Sequence, residues 1–304
     1  MGMKQILLMM AAVVLVGQSV VADEKLITDP IVEKAVRSSR LGANKLTGEL
    51  TNADLEKVIS LNLRGTKITD EGLKEVGKLQ KLKMVDLSFT KITDEGLKEL
   101  VKRQQLNYLN LLGTQITDAG MKELVKLQKL ETLNLSATKV TDEGLKELVK
   151  LQNLSGLVLA GTQITDTGLK DVARLQNLEY LTLADTQITD EGLKEVVKLQ
   201  KLGWLLLVGT QITDAGLKRL AKLQNLTSLD LADTQITDTG LKELAELNSL
   251  VFLWLGSTQI TDTGLKDVAK LQKLTQLELS DTKVTKAGVA EFKKALPKCS
   301  ILGP

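Results

Sequence analysis

The side chains best placed for chemistry are carboxylates. An aspartate recurs every 24 residues from Asp70 to Asp262, and a second row runs Asp185, Asp233 and Asp281 at intervals of 48. Rows of this kind invite a calcium site, and pairs drawn from Asp230, Glu278 and Asp281 invite glycosidase chemistry. If the 24-residue units stack as strands, successive members of the second row stand about 10 Å apart. That is too far for one calcium, whose ligands lie at about 2.3–2.6 Å. Asp230 with Asp233, and Glu278 with Asp281, can be neighbours within a unit, but two carboxylates are too few for a metal site. The first row precedes a helical pattern each time, so N-capping is its expected role.

Other chemistry is removed by absence. There is no histidine, hence no imidazole base, no imidazole metal ligand and no Ser-His triad. The single cysteine, Cys299, excludes an intrachain disulfide and reads as a small buried apolar residue. Gly72, Gly96 and Gly120 stand singly, without the Gly-rich cluster or Lys-Ser/Thr of a nucleotide loop, and suit close packing between turns. The expectation is a chain with no catalytic residues, no metal and no cofactor.

The elements that carry these residues follow from one period. Ile-Thr-Asp or a near copy begins at Ile68, Ile92, Ile116, Val140, Ile164, Ile188, Ile212, Ile236, Ile260 and Val284. The full unit is L-x-x-L-x-L-x-x-T-x-I-T-D-x-G-L-K-E-L-x-K-L-Q-x, seen complete from Leu178 to Lys201. Its first part alternates apolar and variable residues, as a strand with one buried face does. Its second part spaces Leu145, Leu148 and Leu151 three apart, as a short helix with one buried stripe does. Ten units span residues 58–297. Alone a unit cannot hide its leucines; stacked, it shares a core with its neighbours.

This repeat resembles the leucine-rich repeat, and T-x-I-T-D-x-G-L is similar to the cysteine-containing, ribonuclease-inhibitor-like subtype found in secreted bacterial proteins. The resemblance implies an α/β solenoid, a horseshoe with a parallel concave sheet and short convex helices. Threonine replaces the usual Asn or Cys at the ninth position from Thr66 to Thr282, and its hydroxyl is expected to tie the turn to the next repeat. Residues 23–57 fall outside the repeat. Asp29-Pro30 signals a helix start and Thr51 to Leu55 a second one, similar to the helical N-terminal cap of internalin-like proteins. The tenth unit is degenerate in the manner of a closing cap: Phe292 takes a leucine position and Pro297 stops the helix. In the remaining 298–304, Ile301 falls at an inward strand position.

Residues 1–22 are a different material. Lys4, the apolar run Ile6 to Val16, and Val20-Val21-Ala22 before Asp23 read as a cleaved secretory signal peptide. The run is short of the ~20 residues that a span needs. A soluble, secreted, periplasmic or envelope-located monomer without a membrane span is expected. Lys+Arg 40 against Asp+Glu 38 carries no nucleic-acid footprint.

Comparing units shows where the information lies. Lys74, Lys98, Lys122 and Lys146, with Glu75, Glu99, Glu123 and Glu147, barely change along the helices and mark a solvated face. The third, fifth and seventh positions, which face the concave side, differ from unit to unit. Tyr108, Tyr180, Trp204, Phe252 and Trp254 all fall there, and Phe89 at the strand exit. With Leu206 and Val208 the two tryptophans form an apolar patch on the sixth to ninth repeats, edged by Asp230, Asp233 and Glu278. Trp and Tyr are enriched at binding hot spots. The site expected is therefore Trp204, Trp254, Tyr180, Phe252, Leu206, Asp230, Glu278 and Tyr108, taking another protein or, alternatively, a surface glycan. The plainer alternative is that the aromatics pack on one another as cross-strand pairs and stiffen the sheet; a structural envelope component is a third reading of the chain.

Overall fold

The computed structural model describes residues 25–39, 48–102 and 105–303. The segment read as a signal peptide lies outside them. Pro30–Ser38 forms helix α1, whose first turn is closed by Asp29: its Oδ1 accepts from the amides of Ile31 and Val32. Asn52–Leu55 forms the short α2, closed by a reciprocal pair between Thr51 and Asp54. Ile27, Val32, Val36 and Leu55 are buried in the same core as the repeats.

Eleven three-residue strands then lie side by side in chain order, all parallel. They are β1 Ser60–Asn62, β2 Met84–Asp86, β3 Tyr108–Asn110, β4 Thr132–Asn134, β5 Gly156–Val158 and β6 Tyr180–Thr182. They continue as β7 Trp204–Leu206, β8 Ser228–Asp230, β9 Phe252–Trp254, β10 Gln276–Glu278 and β11 Ser300–Leu302. Each pairs in register with the residue 24 further on, as Leu205 does with Leu229. The count exceeds the ten repeats because the C-terminal residues add β11, where Ile301 pairs with Leu277. Stacked strands need ~4.8 Å each and packed helices about 8–10 Å, so the stack bends with its sheet on the inner side.

The core is a set of leucine columns. Leu202, Leu205, Leu207, Ile212, Leu217, Leu220 and Leu223 of one repeat are all buried, and their equivalents recur along the chain. Phe292 and Cys299 close the far end of this core. Burial holds the Cys299 thiol above its ordinary pKa, as suits an inert apolar filler.

Two local assignments change. Where a repeat helix has a side-chain cap it is a threonine, not an aspartate: Thr93, Thr117, Thr141, Thr213 and Thr237 accept from a backbone amide two residues on. The following aspartate reaches forward to the next repeat instead. Asp94 receives the Thr117 amide at 2.9 Å on Oδ1 and the Thr117 hydroxyl at 2.6 Å on Oδ2. The same pair of bonds recurs from Asp70–Thr93 to Asp262–Thr285. The N-cap expectation failed because the side chain's partner lies 23 residues away, out of local view. The ninth-position threonine also stays home: Thr90 donates its hydroxyl to the Leu87 carbonyl of its own turn at 2.6 Å, and Thr138 does so to Leu135. The next repeat is held by backbone bonds alone at that point, such as the Leu87 amide to the Asn110 carbonyl at 2.9 Å.

Candidate functional site: the inner face of the sheet

Because side chains alternate along a strand, the first and third residues of each strand face the concave side while the middle leucine points inward. The third-position row across the C-terminal half reads Tyr180, Trp204, Ser228, Phe252, Gln276; the fifth-position row reads Thr182, Leu206, Asp230, Trp254, Glu278. Both tryptophans thus share one face of one sheet.

The rings meet. Tyr180 and Trp204 lie 6.3 Å apart between centroids, tilted by 47°. Trp204 and Phe252 lie 6.2 Å apart at 41°. Phe252 and Trp254 lie 6.0 Å apart and nearly parallel, at 16°. Four aromatics therefore form one track over β6 to β9. Trp204 remains 45% exposed, while Tyr180, Phe252, Trp254 and Leu206 are half-buried. Desolvation raises the Tyr180 phenol above its ordinary pKa.

The carboxylates sit on either side of Trp254 in its row. Asp230 Oδ1 accepts the Ala232 amide at 3.0 Å, and Glu278 Oε1 accepts the Ser280 amide at 2.7 Å. Burial beside the apolar side chains raises the Asp230 carboxyl above the usual range, and the charge of Glu278 adds to it. Neither carboxylate is ion-paired among the described residues. Gly256 makes room for Glu278: a Cβ there would collide with its carboxylate.

Tyr108 is not part of this cluster. It sits on β3 between Met84 and Thr132, three strands or about 14 Å from Tyr180. Strand position alone made it look equivalent to the others; distance along the stack separates it. Phe89 also lies apart, 52% exposed, with the Arg64 guanidinium 4.6 Å above its ring. Asp185, Asp233 and Asp281 have a different explanation: they adopt φ of 55°, 52° and 57° at the eighth position. Every repeat makes a left-handed turn there, with Gly65, Gly113, Gly161 and Gly209 in four of the others and Phe89, Ala137 and Ser257 in the remaining three. Asp is among the few residues other than glycine that tolerate this conformation.

Sequence reasoning missed Ser228. It lies in the third-position row between Trp204 and Phe252, fully buried, and its hydroxyl has no hydrogen-bond partner among the described residues. Its small side chain lets the flanking rings close over it. The signal available was a small residue flanked, one repeat away on each side, by Trp204 and Phe252.

The eleven-stranded parallel sheet backed by short helices defines a leucine-rich-repeat solenoid, a class commonly used for protein–protein interaction. The family described as Leucine Rich repeat matches at residues 55–77, 78–101, 104–125, 126–149, 174–197 and 222–245. The fold is similar to an internalin (inlF) from Listeria monocytogenes, with TM-score 0.62 and 22% identity over 90% of this chain and 88% of that one. It is similar to a TDR receptor, with TM-score 0.57 and 19% identity over 82% of this chain and 43% of that one. An internalin C2 (inlC2) of Listeria monocytogenes matches with TM-score 0.48 and 28% identity over 86% of this chain and 95% of that one. No curated protein matches the sequence.

Proposed function

We propose that this chain is an exported binding protein, not an enzyme, that takes another protein on its concave sheet. In this reading residues 1–22 direct export, residues 23–57 cover the first repeat, and the mature protein acts as a monomer outside the cytoplasm. Among the described residues no helix is long and apolar enough to cross a membrane. The observation that carries the reading is the four-ring track Tyr180–Trp204–Phe252–Trp254, with Trp204 its most exposed member. Rigid aromatics on a variable surface supply contact area at little entropic cost.

The test is the full chain beside its Trp204→Ala, Trp254→Ala double variant. Partner affinity should fall roughly tenfold or more, as hot-spot losses do. Since the rings touch one another, the change also costs stability, about 1–3 kcal/mol at the usual worth of aromatic pairs, which the leucine columns tolerate. Affinity unaltered by the double change would overturn the assignment of the site.

A second reading is carbohydrate binding. The nearly parallel Phe252 and Trp254 rings beside Asp230 and Glu278 suit sugar stacking and hydroxyl recognition. A glycan array separates the readings, since a protein-binding face gives no saturable signal on it.

A further inference from the structure

The strand-and-turn stretches of the C-terminal half have a charge that the whole chain does not, with Asp230 and Glu278 on the inner face itself. In the strand-and-turn stretches 178–186, 202–210, 226–234, 250–258 and 274–282 there is no lysine or arginine, while Glu179, Asp185, Asp230, Asp233, Glu278 and Asp281 all fall there. The chain overall is +2. Basic residues occur on the same stretches only at the other end, as Arg64 and Lys83. Building on the protein-binding reading above, we propose that this half of the sheet recognises a basic segment of its partner. A lysine or arginine side chain would lie on the Trp254 indole between the carboxylates of Asp230 and Glu278.

Register supports the arrangement. Asp230, Trp254 and Glu278 are consecutive in one row on adjacent strands, so the strand that carries each carboxylate lies about 5 Å to one side of the strand that carries the indole. A cation over the ring meets the π face and two negative charges together. Trp is the strongest of the side-chain π faces for a cation. Phe252 lies nearly parallel to Trp254, and no other ring contacts the indole among the described residues. The molecule already shows this chemistry within itself, where Arg64 covers Phe89.

The fold does not require these charges. The hydrogen bond that Asp230 accepts from Ala232 is made equally by Asn62, Asn110 and Asn134 to the amides of Arg64, Leu112 and Ser136. A neutral amide would serve the turn, so the negative charge is surplus to structure. The raised pKa of Asp230 reports the same thing as a cost borne in the free protein. The Ser228 hydroxyl beneath Trp204 and Phe252 is fully buried and, like that of Ser136 away from this site, has no hydrogen-bond partner among the described residues. Displacing the exposed Trp204 ring would open that hydroxyl to a polar group of the incoming segment.

The experiment titrates the full chain with an alternating lysine–glycine peptide, its fully acetylated counterpart, and an alternating glutamate–glycine peptide, following tryptophan fluorescence. The lysine peptide should give a saturable change, weakened roughly tenfold or more by high salt because charges at the edge of an interface are screened. Acetylation should abolish it, and the Asp230→Asn, Glu278→Gln double variant should lose most of it while unfolding no earlier than the native chain. Equal response to the glutamate peptide, or full response in the charge variant, overturns the proposal. If a protein partner's binding depends on Trp204 and Trp254 but not on these charges, the basic-segment assignment fails and concave protein binding stands. If neutral oligosaccharides bind and the tryptophan changes abolish it, the protein-binding reading fails as well.

Discussion

Trp204 and Phe252 stand on strands that do not pair, yet their ring centroids approach to 6.2 Å over Ser228. Two strand spacings amount to about 10 Å, so the rings lean together and roof the strand between them. The result is a continuous aromatic surface with a polar atom sealed beneath it.

That sealed hydroxyl should cost the fold. A buried polar group left without a partner carries a penalty of about 1–3 kcal/mol. Ser228→Ala removes the hydroxyl of a fully buried side chain without touching either ring. The expected gain is about 1 kcal/mol, read as a higher urea midpoint with an unchanged slope. A midpoint that falls would mean that the hydroxyl is satisfied.

Asp230 and Asp262 should respond to pH in opposite senses. Burial raises the Asp230 carboxyl, with Glu278 adding repulsion and no cation facing it among the described residues. Between the unfolded and folded pKa values the native state holds more protons than the unfolded chain, so stability falls as pH rises through that window. Asp230→Asn should therefore unfold later than the native chain at neutral pH, with the difference closing below about pH 3.9. The Asp262 carboxyl is lowered by the amide and hydroxyl of Thr285. Its contribution is present above the unfolded pKa and lost as pH falls through the folded one. Asp262→Asn should accordingly unfold earlier at neutral pH, and thermal scans at the two pH values check both signs.

Gly144 gives a substitution whose sign runs against helix propensity. Alanine favours a helix over glycine by about 1 kcal/mol. Here a Cβ would stand 2.5 Å from Asp118 Oδ1, the oxygen that accepts the Thr141 amide. Gly144→Ala must push that carboxylate off its two bonds to Thr141. Net destabilisation of about 1–3 kcal/mol is expected, the usual cost of disturbing hydrogen bonds to a charged group, and denaturant unfolding measures it.

Much of this architecture can be read before any coordinate is seen. The leucine columns were legible because a strict 24-residue period leaves one way to stack them, and the alternation around Leu205 or Leu229 states which face is buried. The left-handed turn was legible too, in the glycines at 65, 113, 161 and 209, but Asp185 and Asp233 in the same column drew attention to metals instead. The Asp–Thr ladder was not legible, since an aspartate after a threonine at a helix start looks locally like a cap in either case. Tyr108 shows the complementary limit: its position in the repeat matched that of Tyr180, but its place along the stack did not.

By itself the amino-acid order determined the repeat, the inward leucines and the face on which variable residues gather, because each of these depends only on spacing within a unit. The tertiary structure decided which aromatics touch, that Ser228 lies sealed beneath two of them, and that Asp230 and Glu278 flank Trp254 with no counter-ion among the described residues. Those relations join side chains in different repeats through ring tilt and solvent exclusion, and neither quantity exists until the units are packed together.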